Sequence, residues 1–553
     1  MAVSVLAFGA LFWMFARRVG YPYDLEWMEG TMLLHAHRLR EGQPLYAPPS
    51  LAFVAFAYPP LQPALVAAAS LVVGLDYATG RALSIVGYLA AVAAAYAFLR
   101  EADVPRTLAL GGMAISAAAF APTGAWYDLV RIDSVWLGLV TLGLWAAWRA
   151  RASTPAAVIA GVLLAASLLA KQTAAPFIGV AVLCLFLAHR RRAVILGLTT
   201  GLVAVIAILL LQRATGGWFW RYVFGLHQRH DFDPWLGYGL APLRVVLLLG
   251  PALLLVPLAL AARRTGPELP HRAEYDGPLL AVLAVFAAAM VATIRGAGPP
   301  WGYANAFIPA IFFGGVLLAL AAARVHRRHT STLAPALLAL SVATAPGGFV
   351  WAADHVWPSA GFALPLGYDP RALVPTAADR REGDALVARL RATPGAVFVP
   401  FHPFYALRAG KTPTLHAQNL ADINAIPDLG TPRDLIEAIR ARAFDLIVLD
   451  VEAEGPAAEG RELRGQRAHR RPARRLRRAG AATSPSRTKG PDCGPYTATF
   501  AMILIVLPAY NEAAGLPALL RSIRQVMDEG RLTYKVVVVD DGSSDGTGDA
   551  IAA

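Results

Sequence analysis

Long apolar runs separated by short basic clusters dominate the chain. Runs of spanning or near-spanning length occupy about 2–16, 82–99, 107–122, 133–148, 154–170, 173–188, 193–212, 243–262, 277–294, 305–323 and 331–347. They predict eleven helices crossing a bilayer, each near the ~20 residues a span needs. Leu61–Leu75 is the exception: it is only 15 residues long and carries Pro63 just after Pro59-Pro60. It predicts a helix lying along the membrane surface. Basic clusters at Arg100–Arg106, Arg149 and Arg151, His189–Arg192, Arg263 and Arg264, and Arg324–His329 fall between pairs of runs and mark the cytoplasmic side. Counting back from Arg100 places Tyr77–Arg81 outside. If Leu61–Leu75 does not cross, the polar stretch 21–50 is outside too and the N-terminus is inside. Arg17 and Arg18 then lie outside, against the positive-inside trend. Met1–Ala16 has no basic leader and no small-residue cleavage site, which predicts a retained first helix, short enough that the natural start is expected upstream.

From residue 350 the pattern changes. Pro375–Leu390 and Pro432–Arg442 read as amphipathic helices, and Ala396–Pro400 and Phe444–Val451 as strands. This predicts an extracytoplasmic α/β domain over 350–454. Residues 455–501 are arginine-rich and lack periodicity, the pattern of a disordered linker. Residues 502–553 return to a strand, helix, strand order. The expected architecture is therefore a polytopic all-α membrane domain over 1–349, a small α/β domain, a linker and a truncated α/β fragment.

Composition agrees with the pattern. Of 553 residues, 56% are hydrophobic and 16% charged, and the mean hydropathy is +0.49, whereas soluble domains carry about 25% charge. The net charge of +13 resides in loop clusters and the linker, so no nucleic-acid partner is expected. Two cysteines, Cys184 and Cys493, give neither a disulfide framework nor a thiolate metal site. Gly410-Lys411-Thr412 resembles the end of a phosphate-binding loop, yet Tyr405 stands where that loop needs glycine.

Charge at bilayer depth costs about 2.5–3.5 kcal/mol per group, so acids and bases at span ends need a reason. Four sets qualify: Asp24, Glu26 and Glu29; Asp128, Arg131 and Asp133; Lys171 in the turn between two spans; and the aromatic, basic loop Trp218–Trp235 with Arg221 and His227, joined by Arg295 and 301–305. The parity count gathers all four outside. There a carboxylate can take a proton from a hydroxyl while cations stabilise a departing phosphate. The plainer alternatives stay open: aromatic residues anchor span ends, Lys171 can snorkel, and Asp24 can cap the helix after it.

Tyr23-Asp24-Leu25-Glu26, Gly42 with Leu45-Tyr46, Tyr58-Pro59-Pro60, Asp133 and Lys171 together resemble the GT-C class of membrane glycosyltransferases, in the branch of the protein mannosyltransferases and the aminoarabinose transferase of lipid A. The resemblance covers about 1–350. It implies an inverting transferase that takes sugar from a polyprenyl-phosphate carrier, with Asp24 as base. The charged sets then give the other expected roles: Glu26 or Glu29 and Asp133 as positioning groups or metal ligands, Lys171, Arg221 and Arg295 on the donor phosphate, and Tyr58, Arg131 and His227, with Glu29, positioning the acceptor. Relatives often carry adjacent Asp-Glu, whereas Leu25 separates the acids here, so the acting carboxylate is left open. The sequence also leaves open whether a divalent cation takes part.

LPAYNE and VVVDDGSSDGT in the tail resemble the opening of family 2 glycosyltransferases, which implies nucleotide-sugar contacts at Pro508, Glu512, Asp540 and Asp541. With no span between 350 and 502, this segment falls outside the membrane, away from cytosolic nucleotide sugars. Two joined reading frames, the second starting at Met502, are the expectation, and a separate family 2 synthase encoded alongside is the implied partner. The expected function is sugar transfer from a polyprenyl-phosphate carrier to an envelope lipid, glycan or protein at the outer face of the cytoplasmic membrane. The rivals are a nucleotide-sugar-dependent synthase acting through the tail and a membrane transporter.

Overall fold

The computed structural model describes residues 1–228, 231–264, 272–299, 302–329, 332–356, 373–424, 429–448, 503–509, 516–529 and 534–540. The chain divides into two compact units, one built mainly from Met1–Leu435 and another that includes Arg475–Ala553.

The first unit is a helical bundle. Its first nine helices are α1 (Ala2–Arg18), α2 (Glu29–Arg40), α3 (Leu61–Val73), α4 (Tyr77–Glu101), α5 (Arg106–Ala118), α6 (Ile132–Arg149), α7 (Thr154–Ala170), α8 (Ala175–Ala188) and α9 (Arg190–Ala214). Helices Arg272–Ala297 and Ile308–His329 follow later in the chain. α4 packs on α6, α6 on α7 and α7 on α9, while α5 packs against Ile308–His329 and α1.

Two close crossings rest on glycine. A Cβ on Gly138 would stand 2.6 Å from the Gly87 carbonyl oxygen, and one on Gly112 would stand 2.4 Å from that of Gly315. Backbone therefore packs on backbone, as small residues allow between membrane helices. The apolar window of Ala304–Arg328 is entirely buried and lies at the centre of the bundle, whereas only 17% of the apolar window of Arg190–Ala214 is covered. Leu198, Leu202, Val205 and Leu209 of α9 face outward, a surface suited to acyl chains. The protein is thus a multi-pass membrane protein.

Among the described residues five helices are long and apolar enough to cross a membrane, or six with the pair Leu333–Thr344 and Gly348–Val356, which is bent by 67°. The other runs expected to span are helical but shorter. α3 has 13 residues, about 20 Å of helix, against a hydrocarbon core of about 30 Å.

The described residues within 373–448 include both helices and short strands. Helix Ala377–Ala392 begins with a Thr376–Asp379 capping box. Strands β1 (Val397–Phe398) and β2 (Leu446–Ile447) pair in parallel. In the second unit β3 (Ile503–Ala509) and β4 (Tyr534–Asp540) pair in parallel through Ile503↔Tyr534 to Ala509↔Asp540, joined by helix Leu516–Glu529. The expected linker 455–501 lies outside the described residues, as do Glu512 and Asp541. Pro508 and Asp540 fall on β3 and β4.

Candidate active site

The segment Tyr21–Met28 enters the bundle as irregular backbone and turns into α2 at Glu29. Buried irregular backbone needs partners for its polar groups, and Arg81 of α4 supplies them. Its guanidinium donates to both Glu29 carboxylate oxygens at 2.9 and 2.6 Å and to the carbonyls of Arg18, Tyr21 and Tyr23, so all five N–H groups are used. Glu29 in turn accepts the backbone N–H of Leu25 at 2.7 Å and of Val130 at 2.8 Å, which fills both oxygens. This fully buried pair, 0% exposed on each side, fastens the loop to α4 and to the start of α6.

Arg18 behaves similarly. Its guanidinium is buried and grips Asp128 at 2.7 and 3.0 Å, with further bonds to the carbonyls of Ala125 and Leu373. Arg18 is therefore a paired, buried arginine and not an exposed loop charge.

Asp24 also has both oxygens engaged: Oδ1 accepts the Gly30 N–H at 2.8 Å, and Oδ2 lies 2.7 Å from His402 Nδ1. Burial raises its pKa, and the His402 contact opposes that shift. Glu26 differs. Its Oε2 accepts from Arg131 at 3.0 Å and from the Met28 N–H at 3.3 Å. Its Oε1 is buried and has no hydrogen-bond partner among the described residues. Burial pushes the carboxyl up to about 7, the Arg131 charge opposing and the Glu29 and Asp24 charges adding to the rise. That value suits a general base at neutral pH.

Beyond Arg131 lies a second ion pair. Lys171, in extended backbone just after α7, donates to Asp133 Oδ1 at 2.7 Å. Asp133, in the first turn of α6, also accepts from Trp126 Nε1 at 2.9 Å and Asn305 at 3.2 Å. Lys171 lies 5.9 Å from the Tyr58 ring centre, and the Arg131 guanidinium is stacked over Phe56 and Trp126 with its Nε unpartnered among the described residues. His227 contacts the Ala57 carbonyl at 2.8 Å and packs 5.6 Å from Tyr58.

Asp24, Glu26, Glu29, Arg131, Asp133, Lys171, Tyr58 and His227 are thus brought to one end of the bundle. Arg221 and Arg295 are exposed, stacked on Trp218 and Phe232. Neither makes a hydrogen bond or ion pair to Glu26, Arg131, Asp133 or Lys171 among the described residues.

Sequence reasoning missed His402, Tyr405 and His416. The His416 ring reaches the Trp27 carbonyl at 3.3 Å and the Phe401 carbonyl at 3.1 Å while accepting the Gln418 N–H, so burial holds it neutral, with a pKa of about 3. These residues sit in a stretch without a recognisable motif, and three histidines, His355, His402 and His416, fall in the predicted outer domain.

The carboxylates do not make a ready divalent-cation site. Glu29, Asp128, Asp133 and Glu26 each face a Lys or Arg within 3.0 Å, and Asp24 faces His402. No cluster of three or more potential ligands occurs among the described residues.

The structure is similar to that of ArnT from Cupriavidus metallidurans. The match to the form bound to undecaprenyl phosphate has a TM-score of 0.52 at 13% identity and covers 78% of this chain and 90% of that one. The apo form gives 0.52 at 14% identity, covering 79% and 90%. Residues 504–553 match the family model described as Glycosyl transferase family 2. The same end is 42% identical over 50 residues to undecaprenyl-phosphate 4-deoxy-4-formamido-L-arabinose transferase of Aeromonas hydrophila, and the chain spans only 15% of that relative's length. The helical bundle therefore has an ArnT-like, GT-C type of fold, and the C-terminal segment resembles the start of a family 2 glycosyl transferase.

Proposed function

We propose that the chain is an integral membrane glycosyltransferase that moves a sugar from a polyprenyl-phosphate carrier to an envelope acceptor with inversion, using Glu26 as the base. The observation that carries this reading is the buried Oε1 of Glu26, which has no hydrogen-bond partner among the described residues and belongs to a carboxylate paired with Arg131, next to which the Lys171–Asp133 pair lies. The resemblance to ArnT, whose structure holds undecaprenyl phosphate, supports the choice of donor class.

In this mechanism Oε1 takes the proton of the acceptor hydroxyl as its oxygen bonds to the anomeric carbon. The bond from that carbon to the phosphate oxygen breaks on the opposite face, and the phosphate leaves with the electron pair. Lys171 and Arg131 stabilise the charge that develops there. Asp133 holds Lys171, and Tyr58 and His227 wall the donor side. Asp24, with both oxygens occupied, is a positioning group, and Glu29 holds the loop. The active end faces the outside of the cytoplasmic membrane, with the N-terminus inside and 350–454 outside. An impermeant maleimide on Gln43→Cys in intact cells tests that arrangement: labelling only after permeabilisation would sink it.

The decisive assay offers the full chain labelled undecaprenyl-phosphate sugars. Glu26→Gln is expected to lose at least about 100-fold in turnover, in line with removal of a general base, while Asp24→Asn loses less. Equal turnover in wild type and Glu26→Gln removes the assignment. A synthase acting through the tail predicts loss of activity on deleting 502–553. A transporter predicts substrate movement without glycosidic product.

A further inference from the structure

Asp24 is held by residues more than 370 positions away. His402 Nδ1 meets its Oδ2 at 2.7 Å with both side chains 1% exposed, and the Tyr405 hydroxyl accepts the Asp24 backbone N–H at 3.0 Å. The imidazole stacks on the Tyr405 ring at 5.0 Å and 14°, and Tyr405 meets Tyr23 edge-on at 5.4 Å. Three residues beyond Asp24, the Trp27 carbonyl meets His416. Helix Pro403–Arg408 can approach this closely because residue 30 is glycine: a Cβ there would stand 3.0 Å from Phe404 Cβ and 3.3 Å from Asp24 Oδ1. On the other side Glu29 is fixed to Arg81. Glu26 therefore lies in a short segment clamped at residue 24 from 402–405, at residue 27 from 416, and at residue 29 from the bundle.

We infer that His402 is a positioning residue for the chemistry at Glu26, acting through Asp24. The inference rests on the reading of Glu26 as base. Asp24 serves as the bridge: one oxygen holds the imidazole and the other holds the Gly30 N–H in the first turn of α2, so the histidine sets where the segment between them sits. Misplacement of a reacting group by about 1 Å can cost about 100-fold in rate, which gives this contact a kinetic consequence without any contact between His402 and substrate.

The test pairs a structural and a kinetic readout on the full chain in detergent. Amide hydrogen exchange is followed in His402→Ala and in His402→Asn, whose side-chain amide keeps an N–H near the position of Nδ1. Expected is faster exchange confined to residues 21–30 in His402→Ala, with α4, α6 and α7 unchanged and the Asn variant near wild type. With labelled undecaprenyl-phosphate sugars, kcat is expected to fall about 10- to 100-fold in His402→Ala with KM within about twofold, and to recover in His402→Asn. Unchanged exchange and kcat in His402→Ala would overturn the inference, as would a general rise in exchange that Asn does not reverse. Glu26→Gln is measured alongside: full turnover there overturns the base assignment, and the confined exchange at 21–30 still decides whether His402 holds the loop.

Discussion

Three acids within six positions meet three different fates, and the difference lies in what surrounds each one. Glu29 spends both oxygens on Arg81 and two backbone N–H groups, Asp24 spends both on His402 and Gly30, and Glu26 keeps one buried oxygen without a partner among the described residues. A base must be deprotonated to act, so with Glu26 near 7 the rate is expected to rise as pH passes through about 7 and to level off above it. A pH–rate profile checks this, and a flat profile between pH 5.5 and 8.5 would contradict it.

The same shift has a stability sign. The folded state holds the Glu26 proton more tightly than the unfolded chain, whose value is 4.5, so stability falls as pH rises from about 4.5 to about 7. Glu26→Gln removes that cost. Its melting temperature relative to wild type should therefore be higher at pH 8 than at pH 5. By contrast, Glu29→Ala leaves the Arg81 charge buried and unpaired, a loss of about 3–5 kcal/mol, read as a fall in melting temperature at every pH.

At the level of elements, the α4–α6 crossing carries the site. Arg81 and Asp133 sit on these helices, whose backbones touch through Gly87 and Gly138. A branched side chain at Gly138 has no room, because its Cβ alone would stand 2.6 Å from the Gly87 carbonyl oxygen. Gly138→Val should push the helices apart, separating Asp133 from Lys171 and lowering melting temperature and turnover together. A variant with wild-type values of both would show that the crossing tolerates displacement. The helices themselves were readable as apolar runs, with ends within a few residues of those expected for α6 and α7. Which helix was central was not: Ile308–His329 is no more apolar in sequence than α9, yet one is enclosed and the other faces outward.

For the whole molecule, the described tail forms its own strand, helix and strand, and none of the proposed catalytic groups comes from it. Removing 455–553 is expected to leave transfer from undecaprenyl-phosphate sugars within about twofold of the full chain, measured in the same assay. Loss of transfer on that deletion would favour the synthase reading.

By itself the sequence determined the membrane class, the helical runs and the presence of an acidic first loop, because hydrophobic periodicity and charge placement are local properties of the chain. It also marked Arg131, Asp133 and Lys171, since charges at span ends stand out against their apolar neighbours. Only the tertiary structure decided which acid keeps an oxygen without a partner among the described residues. That depends on partners 52, 105 and 378 positions away, at Arg81, Arg131 and His402. A carboxylate's role is set by how many of its lone pairs are already used, and that count exists only once distant segments are packed together.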